Sequence, residues 1–194
     1  MFAIYPGLNL SKRHPDHRVF PYLLRGVTPP YPHHVWGMDI TYIRLRHGWM
    51  FLVAVLDWFS RYSVSWALDE TMALAFVLEA ARCALARATP HIWNTDQGSQ
   101  FTSPQFTQLV LGAGVLLSMD GKGRAVDTVF TERLWRTVKY DHGYLHDYAS
   151  PREARQLLGA FLRVYNERRL HQSLGYRTPV EVYEGGMSTQ LPNE

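Results

Sequence analysis

Cysteine is almost absent from this chain of 194 residues, which contains only Cys83. A single thiol cannot form an internal disulfide, and it cannot build a zinc site that uses several cysteines. We therefore expect a protein of a reducing, intracellular compartment.

Long hydrophobic runs are missing as well. The longest unbroken apolar stretch extends from Trp49 to Leu56, far short of the roughly 18 residues that a membrane-spanning helix needs. The first ten residues lack the basic start and hydrophobic centre of a signal peptide. The sequence predicts a soluble protein that is not exported and has no membrane partner.

Charge of one sign is in only slight excess. The chain has 20 lysines and arginines against 17 aspartates and glutamates, a net charge of +3 and a pI of about 9.1. This mild positive balance favours an anionic partner such as a nucleic acid. Because 46% of the residues are hydrophobic and 19% are charged, the chain can form a globular core.

Three parts of the chain differ in their patterning. Residues 1–34 are rich in proline, histidine and arginine without a regular period, and they predict an irregular N-terminal arm. Residues 35–166 carry the hydrophobic periodicity of a globular core. Residues 167–194 predict a C-terminal extension with a short helix, followed by a polar tail that begins at Gly185.

The core is predicted to be of the α/β class. Three strand-like segments separated by turn residues indicate an antiparallel meander, and two short strands then alternate with helices. Ser103 before Pro104, and Ser150 with Glu153, are typical helix-capping patterns. The predicted strands are 35–45, 49–57, 62–68, 91–94 and 115–117, and helices are predicted to begin near residues 74, 104, 126, 151 and 179.

Three carboxylates stand apart from the other acids. Asp39 lies inside the first predicted strand, where a charge is costly unless it faces a site. Asp96 follows the fourth strand, and sites on open α/β sheets lie at the carboxyl ends of strands. Glu132 lies on the helix after the fifth strand. Any one of them alone is most simply an exposed surface group.

Helical geometry indicates where Glu132 points. At about 100° per residue, Glu132, Arg136 and Lys139 share one face of their helix. The cations on that face are suited to holding phosphate groups beside the carboxylate. The apolar stripe lies opposite and consists of Val126, Phe130, Leu134, Thr137 and Val138.

A cluster of three carboxylates favours divalent cations. Two like charges about 4 Å apart repel by roughly 4 kcal/mol at an effective dielectric constant of about 20. Oxygen ligands without cysteine suit Mg²⁺ or Mn²⁺. Two such ions about 3.5–4 Å apart can activate an attacking oxygen and stabilise a leaving one in phosphodiester chemistry.

The spacing of the acids is distinctive, with 56 residues between Asp39 and Asp96 and 35 between Asp96 and Glu132. It is the spacing of retroviral integrases and their transposase relatives. Five segments, in order, closely resemble the second-frame product of a widespread family of bacterial insertion-sequence transposases with an integrase-like core. They are WGMDITYI, FLVAVLDWFSRYSVSWAL, NTDQGSQFTS, SMDGKGRAVDTVFTERLWRTVKYD and YNERRLHQSLGYRTPVEVY.

The resemblance extends roughly from Ile4 to Tyr183 and implies a ribonuclease-H-like fold, a mixed five-stranded sheet flanked by helices, with residues 35–166 as the integrase catalytic core. It implies that Asp39, Asp96 and Glu132 are the catalytic triad and the ligands of Mg²⁺ or Mn²⁺, with two ions. Water would cut a phosphodiester to free a 3′ hydroxyl, which then attacks another DNA strand.

The same resemblance implies DNA transposition, with insertion-sequence ends and target DNA as partners of a homo-oligomer assembled on DNA. The location would be cytoplasmic, and nucleoid-associated when the protein is bound. Lys122 and Arg124, in a glycine-rich loop expected to be mobile, and Arg136 and Lys139 on the following helix are the candidate DNA-binding residues. For the first two, a solvated turn is the alternative.

Several departures from the family pattern stand out. Family members usually carry a small helix-turn-helix domain before this core, and this sequence begins where that region would have ended. We therefore expect general, salt-sensitive DNA binding with poor recognition of element ends. The usual Asp-Asn pair is Asp127-Thr128, and the usual Arg-Pro-His is Arg169-Leu170-His171.

Other candidate residues have simpler interpretations. His142 and His146 have the spacing of metal ligands on a helix but lack a third ligand, so we expect surface histidines. Trp135 lies beside Glu132 on the helical wheel, and packing is favoured over stacking on a DNA base. Asp57 and Ser60 indicate a structural turn.

Two residues beside Asp96 remain open to either interpretation. Asn94 and Gln97 either orient substrate or stabilise a turn. Cys83 lacks the glycine-rich elbow of a nucleophile, so thiol catalysis is not expected.

Three functions compete at this point. The first is a DNA strand transferase. The second is a non-catalytic, truncated DNA-binding remnant that competes with full-length transposase, and the third is a structure-specific nuclease without strand transfer. The intact set of three acids favours an enzyme over pure binding.

Overall fold

A computed structural model describes residues 17–120 and 129–187. In this part of the chain, all five predicted strands and all five predicted helices are present. Residues 17–34 contain turns but no helix or strand. The strands are β1 (Val35–Leu45), β2 (Gly48–Asp57), β3 (Ser63–Asp69), β4 (Ile92–Thr95) and β5 (Leu116–Met119). The helices are α1 (Leu74–Leu85), α2 (Pro104–Gly112), α3 (Val129–Asp141), α4 (Pro151–Glu167) and α5 (Pro179–Met187).

The strands form one mixed sheet in the order β3-β2-β1-β4-β5. Strands β1, β2 and β3 form the antiparallel meander, and its first turn is tight, with Leu45 opposite Gly48. Strand β4 pairs in parallel with β1, and β5 pairs in parallel with β4. The predicted mixed five-stranded sheet is confirmed.

The two faces of the sheet bury separate sets of side chains because neighbouring residues of a strand point to opposite faces. In β2, Leu52, Ala54 and Leu56 pack toward α3 and α4. Val53 and Val55 pack toward α1 and α2. Both sets are fully buried, which explains why β2 is a continuous apolar run.

The predicted helix caps are present. The Ser103 Oγ accepts from the Phe106 N–H at 3.3 Å, and the Ser150 Oγ accepts from the Glu153 N–H at 3.2 Å. The Glu153 carboxylate accepts from the Ala149 N–H at 2.6 Å. The two serine contacts each satisfy an N–H group that the first turn of a helix leaves without a partner, and the Glu153 contact ties the residue before the cap to the helix.

The arm before β1 is tied to the end of β2 by Asp57. Its buried carboxylate accepts hydrogen bonds from the Ser60 N–H and Oγ at 2.8 and 2.6 Å, and from the His33 N–H at 2.7 Å. The structural interpretation of Asp57 is confirmed.

Two sequence predictions about helix ends are wrong. Helix α5 continues to Met187, through the glycines expected to begin the tail. Burial of Val182 and Tyr183 outweighs the roughly 1 kcal/mol that each glycine costs in a helix. Helix α3 ends at Asp141, so His142 and His146 do not lie on it; a short 3₁₀ turn follows.

The histidine pair also differs from the prediction in its exposure. His142 is only 7% exposed, and its ring stacks on Phe161 of α4 at a centroid distance of 4.7 Å. It is a core residue between α3 and α4 rather than a surface histidine. Sequence patterns do not reveal this burial because the packing partner lies on another helix.

Part of the predicted loop and the start of the following helix lie outside the described residues, including Lys122, Arg124 and Val126. Met119, assigned to the loop from sequence, is the last residue of β5. Among the helices of residues 17–120 and 129–187, none is long and apolar enough to cross a membrane.

Candidate active site

The pairing of β1 with β4 brings Asp39 and Asp96 to the same edge of the sheet. Gly37 of β1 pairs with Asn94 of β4 in parallel register. Asp39 and Asp96 each lie two residues beyond a member of that pair. Because strands that pair in parallel run in the same direction, both carboxylates lie at the carboxyl end of β4.

Glu132 reaches this edge from the first turn of α3, which crosses close to β1. The crossing is tight because Gly37 has no side chain: a Cβ there would lie 3.0 Å from the Thr131 Oγ1. Thr131 is buried and Glu132 is exposed. The helix therefore packs through Thr131 and leaves Glu132 facing the acids of the sheet.

All three predicted acids line one cavity of about 140 Å³. The cavity is bounded by the interior of β1, the end of β4, the residue after β5 and the first turn of α3. The other lining residues are Gly37, Met38, Trp58, Asn94, Thr95, Asp120 and Thr131.

Asp39 is the most enclosed of the three acids, and two N–H groups hold its carboxylate. The Trp135 Nε1 donates to its Oδ2 at 2.8 Å, and the Ile40 N–H donates to its Oδ1 at 2.7 Å. Burial raises the pKa of Asp39, and the charges of Asp96 and Glu132 raise it further, against the lowering effect of the two donors. The three acids therefore interact electrostatically.

Asp96 is turned toward the loop that follows β4. Its Oδ1 accepts from the Gly98 N–H at 2.8 Å. A Cβ on Gly98 would lie 2.9 Å from that oxygen, so the close approach depends on glycine. The loop leaves the Asp96 side chain exposed at the mouth of the cavity.

A fourth acid, Asp120, lines the cavity and was not singled out from the sequence. It follows β5 as Asp96 follows β4, and that repeated position is the signal that could have identified it. Both of its carboxylate oxygens lie within 3.1–3.2 Å of the Asn94 Nδ2, which donates to them. The Asn94 Oδ1 is buried without a hydrogen-bond partner among the described residues. Asn94 thus holds Asp120.

Trp135 is the second residue whose role the sequence did not reveal. The predicted packing role is confirmed, because the side chain is only 7% exposed. Its indole N–H also positions Asp39. The buried side of α3 consists of Thr131, Leu134, Trp135 and Val138. The buried face of α3 is therefore rotated about the helix axis from the predicted apolar stripe, toward β1 and the acids.

The donor set of the cavity fits Mg²⁺ or Mn²⁺ in its chemistry. It offers carboxylate oxygens and a buried amide oxygen without a partner, which are ligands that these hard cations prefer. Within residues 17–120 and 129–187, no three acidic, histidine or cysteine side chains are close enough to hold an ion as they stand. Binding of an ion therefore requires the acidic side chains to approach one another more closely than they do here.

The two described DNA-binding candidates lie on the Glu132 side of α3. The Lys139 Nζ lies 4.2 Å from the centroid of the Tyr42 ring, and the Arg136 Cζ lies 5.9 Å from that of Tyr140. Both tyrosines are exposed, at 54% and 62%. These contacts align the cations along the surface beside the acidic cavity.

The arrangement of strands matches solved retroviral integrase structures. A chain of the simian T-cell lymphotropic virus intasome, determined with PP2A regulatory subunit B56 gamma, gives a TM-score of 0.72 at 17% identity, over 95% of this chain and 65% of that chain. The HTLV-2 integrase catalytic core in complex with magnesium gives 0.66 at 20% identity, over 80% and 99%. The fold is thus ribonuclease-H-like, as predicted.

Sequence comparison gives the family. An integrase core domain model matches residues 29–125, and a second model of the same description matches residues 113–179. The transposase for insertion sequence element IS904 of Lactococcus lactis subsp. lactis (strain IL1403) is 31% identical over 152 residues. That match covers 76% of this chain, which spans 60% of the relative's length. The chain therefore belongs to the integrase core domain family and carries the integrase-like core of a bacterial insertion-sequence transposase.

Proposed function

We propose that this chain cuts and joins DNA as the catalytic core of a transposase, with Asp39, Asp96 and Glu132 as its catalytic acids. The observation that carries the proposal is their convergence: a strand interior, a strand end and a helix supply one acid each to one cavity. Ordinary surface acids have no reason to meet in this way. The reaction is cleavage of a phosphodiester at an insertion-sequence end, followed by strand transfer to target DNA.

The same three acids are the proposed ligands of Mg²⁺ or Mn²⁺, in a site for two ions. Metal ions in such a site activate the attacking oxygen and stabilise the leaving oxygen of a phosphodiester displacement. Burial is the main cause of the raised pKa of Asp39, and the charges of Asp96 and Glu132 add a smaller contribution that a cation would neutralise. Asp120 and Asn94 add oxygen atoms to the wall of the cavity.

The residues around the three acids fix the positions of the acidic side chains. Trp135 orients the Asp39 carboxylate, and the Thr131 contact with β1 places the first turn of α3. Orientation of this kind matters because a misplacement of about 1 Å can cost about 100-fold in rate. In this proposal the protein supplies position and charge, and its acids do not act as nucleophiles.

The proposed partners are insertion-sequence ends and target DNA, bound by a homo-oligomer. Arg136 and Lys139 are the proposed phosphate contacts beside the cavity, together with Lys122 and Arg124, which lie outside the described residues. Phosphate contacts position a duplex without reading its sequence. Phosphate contacts by these four cations would give the general, salt-sensitive DNA binding that the sequence predicts.

The decisive experiment is Asp96→Asn, assayed for nicking and disintegration of branched DNA with Mn²⁺. The change removes a metal-binding charge with little change in volume. We expect cleavage to fall by at least about 100-fold, equivalent to about 2.7 kcal/mol of transition-state stabilisation. Binding of DNA in EDTA should be nearly unchanged.

The matched control is Asp147→Asn, which removes an exposed acid that pairs with Arg46 and does not line the cavity. This variant should cut as well as the wild type. If Asp96→Asn also cuts as well as the wild type, the catalytic assignment is wrong. If the wild type shows no metal-dependent activity, the non-catalytic DNA-binding alternative replaces it.

A further inference from the structure

A second cavity, of about 430 Å³, is lined by Phe130 of α3. The Phe130 ring lies 5.4 Å from the ring of Trp58, which lines the acidic cavity. The Arg61 Cζ lies 3.6 Å from the Phe130 centroid, and Arg61 also lines the second cavity. The two cavities are thus neighbours along α3.

The charged residues of the second cavity are all basic. Arg61 comes from the turn after β2, Arg133 from α3, and Arg169 and His171 from the segment after α4. Among the described residues, the lining contains no aspartate or glutamate. We call this set of four residues the arginine cavity.

Within the described structure, the charges of the three arginines in this set are only partly neutralised. The Arg169 Nη1 pairs with the Asp141 Oδ2 at 2.5 Å, outside the lining. Arg61 donates to the Trp58 carbonyl, which carries no net charge. Arg133 is exposed on α3. The His171 Nε2 is buried without a hydrogen-bond partner among the described residues.

The lowered pKa values of His171 and Arg61 are consistent with an excess of positive charge in this cavity. Burial, together with a smaller effect of repulsion by Arg169, Arg61 and Arg133, lowers the pKa of His171 to about 4. Burial, aided by Arg133 and opposed by Tyr165 and Asp57, lowers the pKa of Arg61 to about 10. Holding like charges together is costly unless an anion joins them.

We propose that the arginine cavity binds a phosphate group of the DNA backbone, beside the strand held at the acidic cavity. The planar, forked guanidinium group matches phosphate oxygens in pairs, and three such groups converge here. The choice of DNA as the source of the phosphate rests on the proposed function.

The position of Arg133 links this phosphate to the catalytic acids. It follows Glu132 directly on α3, so a phosphate bound by Arg133 fixes the DNA strand relative to the helix that carries Glu132. The site adds a contact on the Phe130 side of that helix, distinct from Arg136 and Lys139.

The test is the salt dependence of DNA binding, measured in EDTA so that no strand is cut. Loss of one phosphate contact reduces the slope of log K against log[salt] by about 0.9. We expect this reduction for Arg133→Gln. The conservative Arg133→Lys, which retains the charge, should keep the wild-type slope. Arg152→Gln, which removes an exposed arginine on α4 outside the lining, is the matched control and should also keep it.

Inorganic phosphate provides an independent probe of the cavity. At equal ionic strength, phosphate should raise the midpoint temperature of unfolding above its value in chloride for the wild type and for Arg152→Gln. The increase should be lost in Arg133→Gln. Stabilisation by phosphate with an unchanged DNA slope would mean an anion site that DNA does not use, and would overturn the proposal.

An unchanged slope and an unchanged response to phosphate in Arg133→Gln would likewise overturn it. The cleavage assay separates this failure from that of the proposed function. Suppose that Asp96→Asn still cuts DNA while Arg133→Gln reduces the salt slope of DNA binding. The catalytic assignment is then wrong, and the phosphate site is supported. If Asp96→Asn fails to cut DNA while Arg133→Gln keeps the wild-type salt slope, only the phosphate site is wrong.

Discussion

The hydrogen bond from Trp135 to Asp39 joins two residues that are 96 positions apart in the chain. Asp39 is enclosed, and its carboxylate could turn toward the cavity in more than one way. A buried indole N–H at 2.8 Å selects one orientation. The residue that sets the geometry of the site thus carries no charge and binds no ion in the proposed mechanism.

Replacing Trp135 by Phe should test this positioning role. The ring and most of its packing are retained, while the N–H is lost. A hydrogen bond to a charged group contributes about 1.5–3 kcal/mol, so we expect DNA cleavage to fall by about 10- to 100-fold. The Mn²⁺ concentration for half-maximal activity should rise, which a purely structural role would not predict.

Trp49→Phe is the control for Trp135→Phe, because Trp49 is 52% exposed on β2. It should leave both the rate and the Mn²⁺ requirement unchanged. Wild-type metal dependence in Trp135→Phe would show that the indole N–H has no part in the site.

At the scale of elements, the site depends on how closely α3 approaches β1. A Cβ on Gly37 would lie 2.2 Å from the Trp58 Nε1 and 3.0 Å from the Thr131 Oγ1. Trp58 is buried, so it cannot move aside freely. The absence of a side chain at Gly37 therefore sets the distance between Glu132 and the sheet.

Gly37→Ala should push α3 and Trp58 away from β1. We expect a loss of about 1–3 kcal/mol in the free energy of unfolding, typical of overpacking, and a larger relative loss of cleavage. Denaturant unfolding and the nicking assay measure the two effects. Gly112→Ala is the control, because a Cβ there meets nothing within 4 Å, and its stability should stay equal or rise. Full activity in Gly37→Ala would mean that the close approach is not required.

His142 joins α3 to α4 and should make stability depend on pH. Burial lowers its pKa from 6.5 to about 4, with a smaller contribution from His146. The folded protein keeps the imidazole neutral, whereas the unfolded chain protonates it below pH 6.5. Its contribution to stability is therefore complete above that pH and is lost as the pH falls toward 4.

His142→Phe should retain the stack on Phe161 and remove the titration. Between pH 7 and pH 4 the free energy of unfolding should fall by about 2 kcal/mol less in the variant than in the wild type. Urea unfolding across this range measures the difference. His47→Gln, in the exposed β1–β2 turn, should follow the wild-type curve. Parallel curves for wild type and His142→Phe would contradict the burial of a neutral imidazole.

At the scale of the whole molecule, the acids of the cavity oppose folding unless a cation joins them. Any ion that binds only the folded state adds stability, by about 2.7 kcal/mol at a concentration 100 times its Kd. For a chain of this size that corresponds to an increase of about 5–10 °C in the midpoint temperature.

We therefore expect Mn²⁺ to raise the midpoint temperature of the wild type and not that of Asp39→Asn. Without metal, Asp39→Asn should melt no lower than the wild type, because it removes an enclosed charge that repels Asp96 and Glu132. Calorimetric scans with and without Mn²⁺ measure both effects, with Asp147→Asn as the control. An equal response to Mn²⁺ in Asp39→Asn would place the ion elsewhere.

The sequence alone determined the elements and the three acids. Segments rich in strand-forming residues, bounded by turn residues, marked the strands within one or two positions, because both signals are local in the sequence. Ser103 and Ser150 marked their helices because a cap acts within four residues. The spacing of Asp39, Asp96 and Glu132, together with the five motifs, indicated the family.

Tertiary structure alone decided which atoms meet. The parallel pairing of β4 with β1 brings Asp39 and Asp96 together, and the crossing of α3 over Gly37 turns Trp135 toward Asp39. The contact of Asn94 with Asp120 and the convergence of Arg61, Arg133, Arg169 and His171 arise in the same way. A local pattern records the face that a side chain occupies, whereas its partner depends on strand order and helix crossing, which join residues distant in the chain.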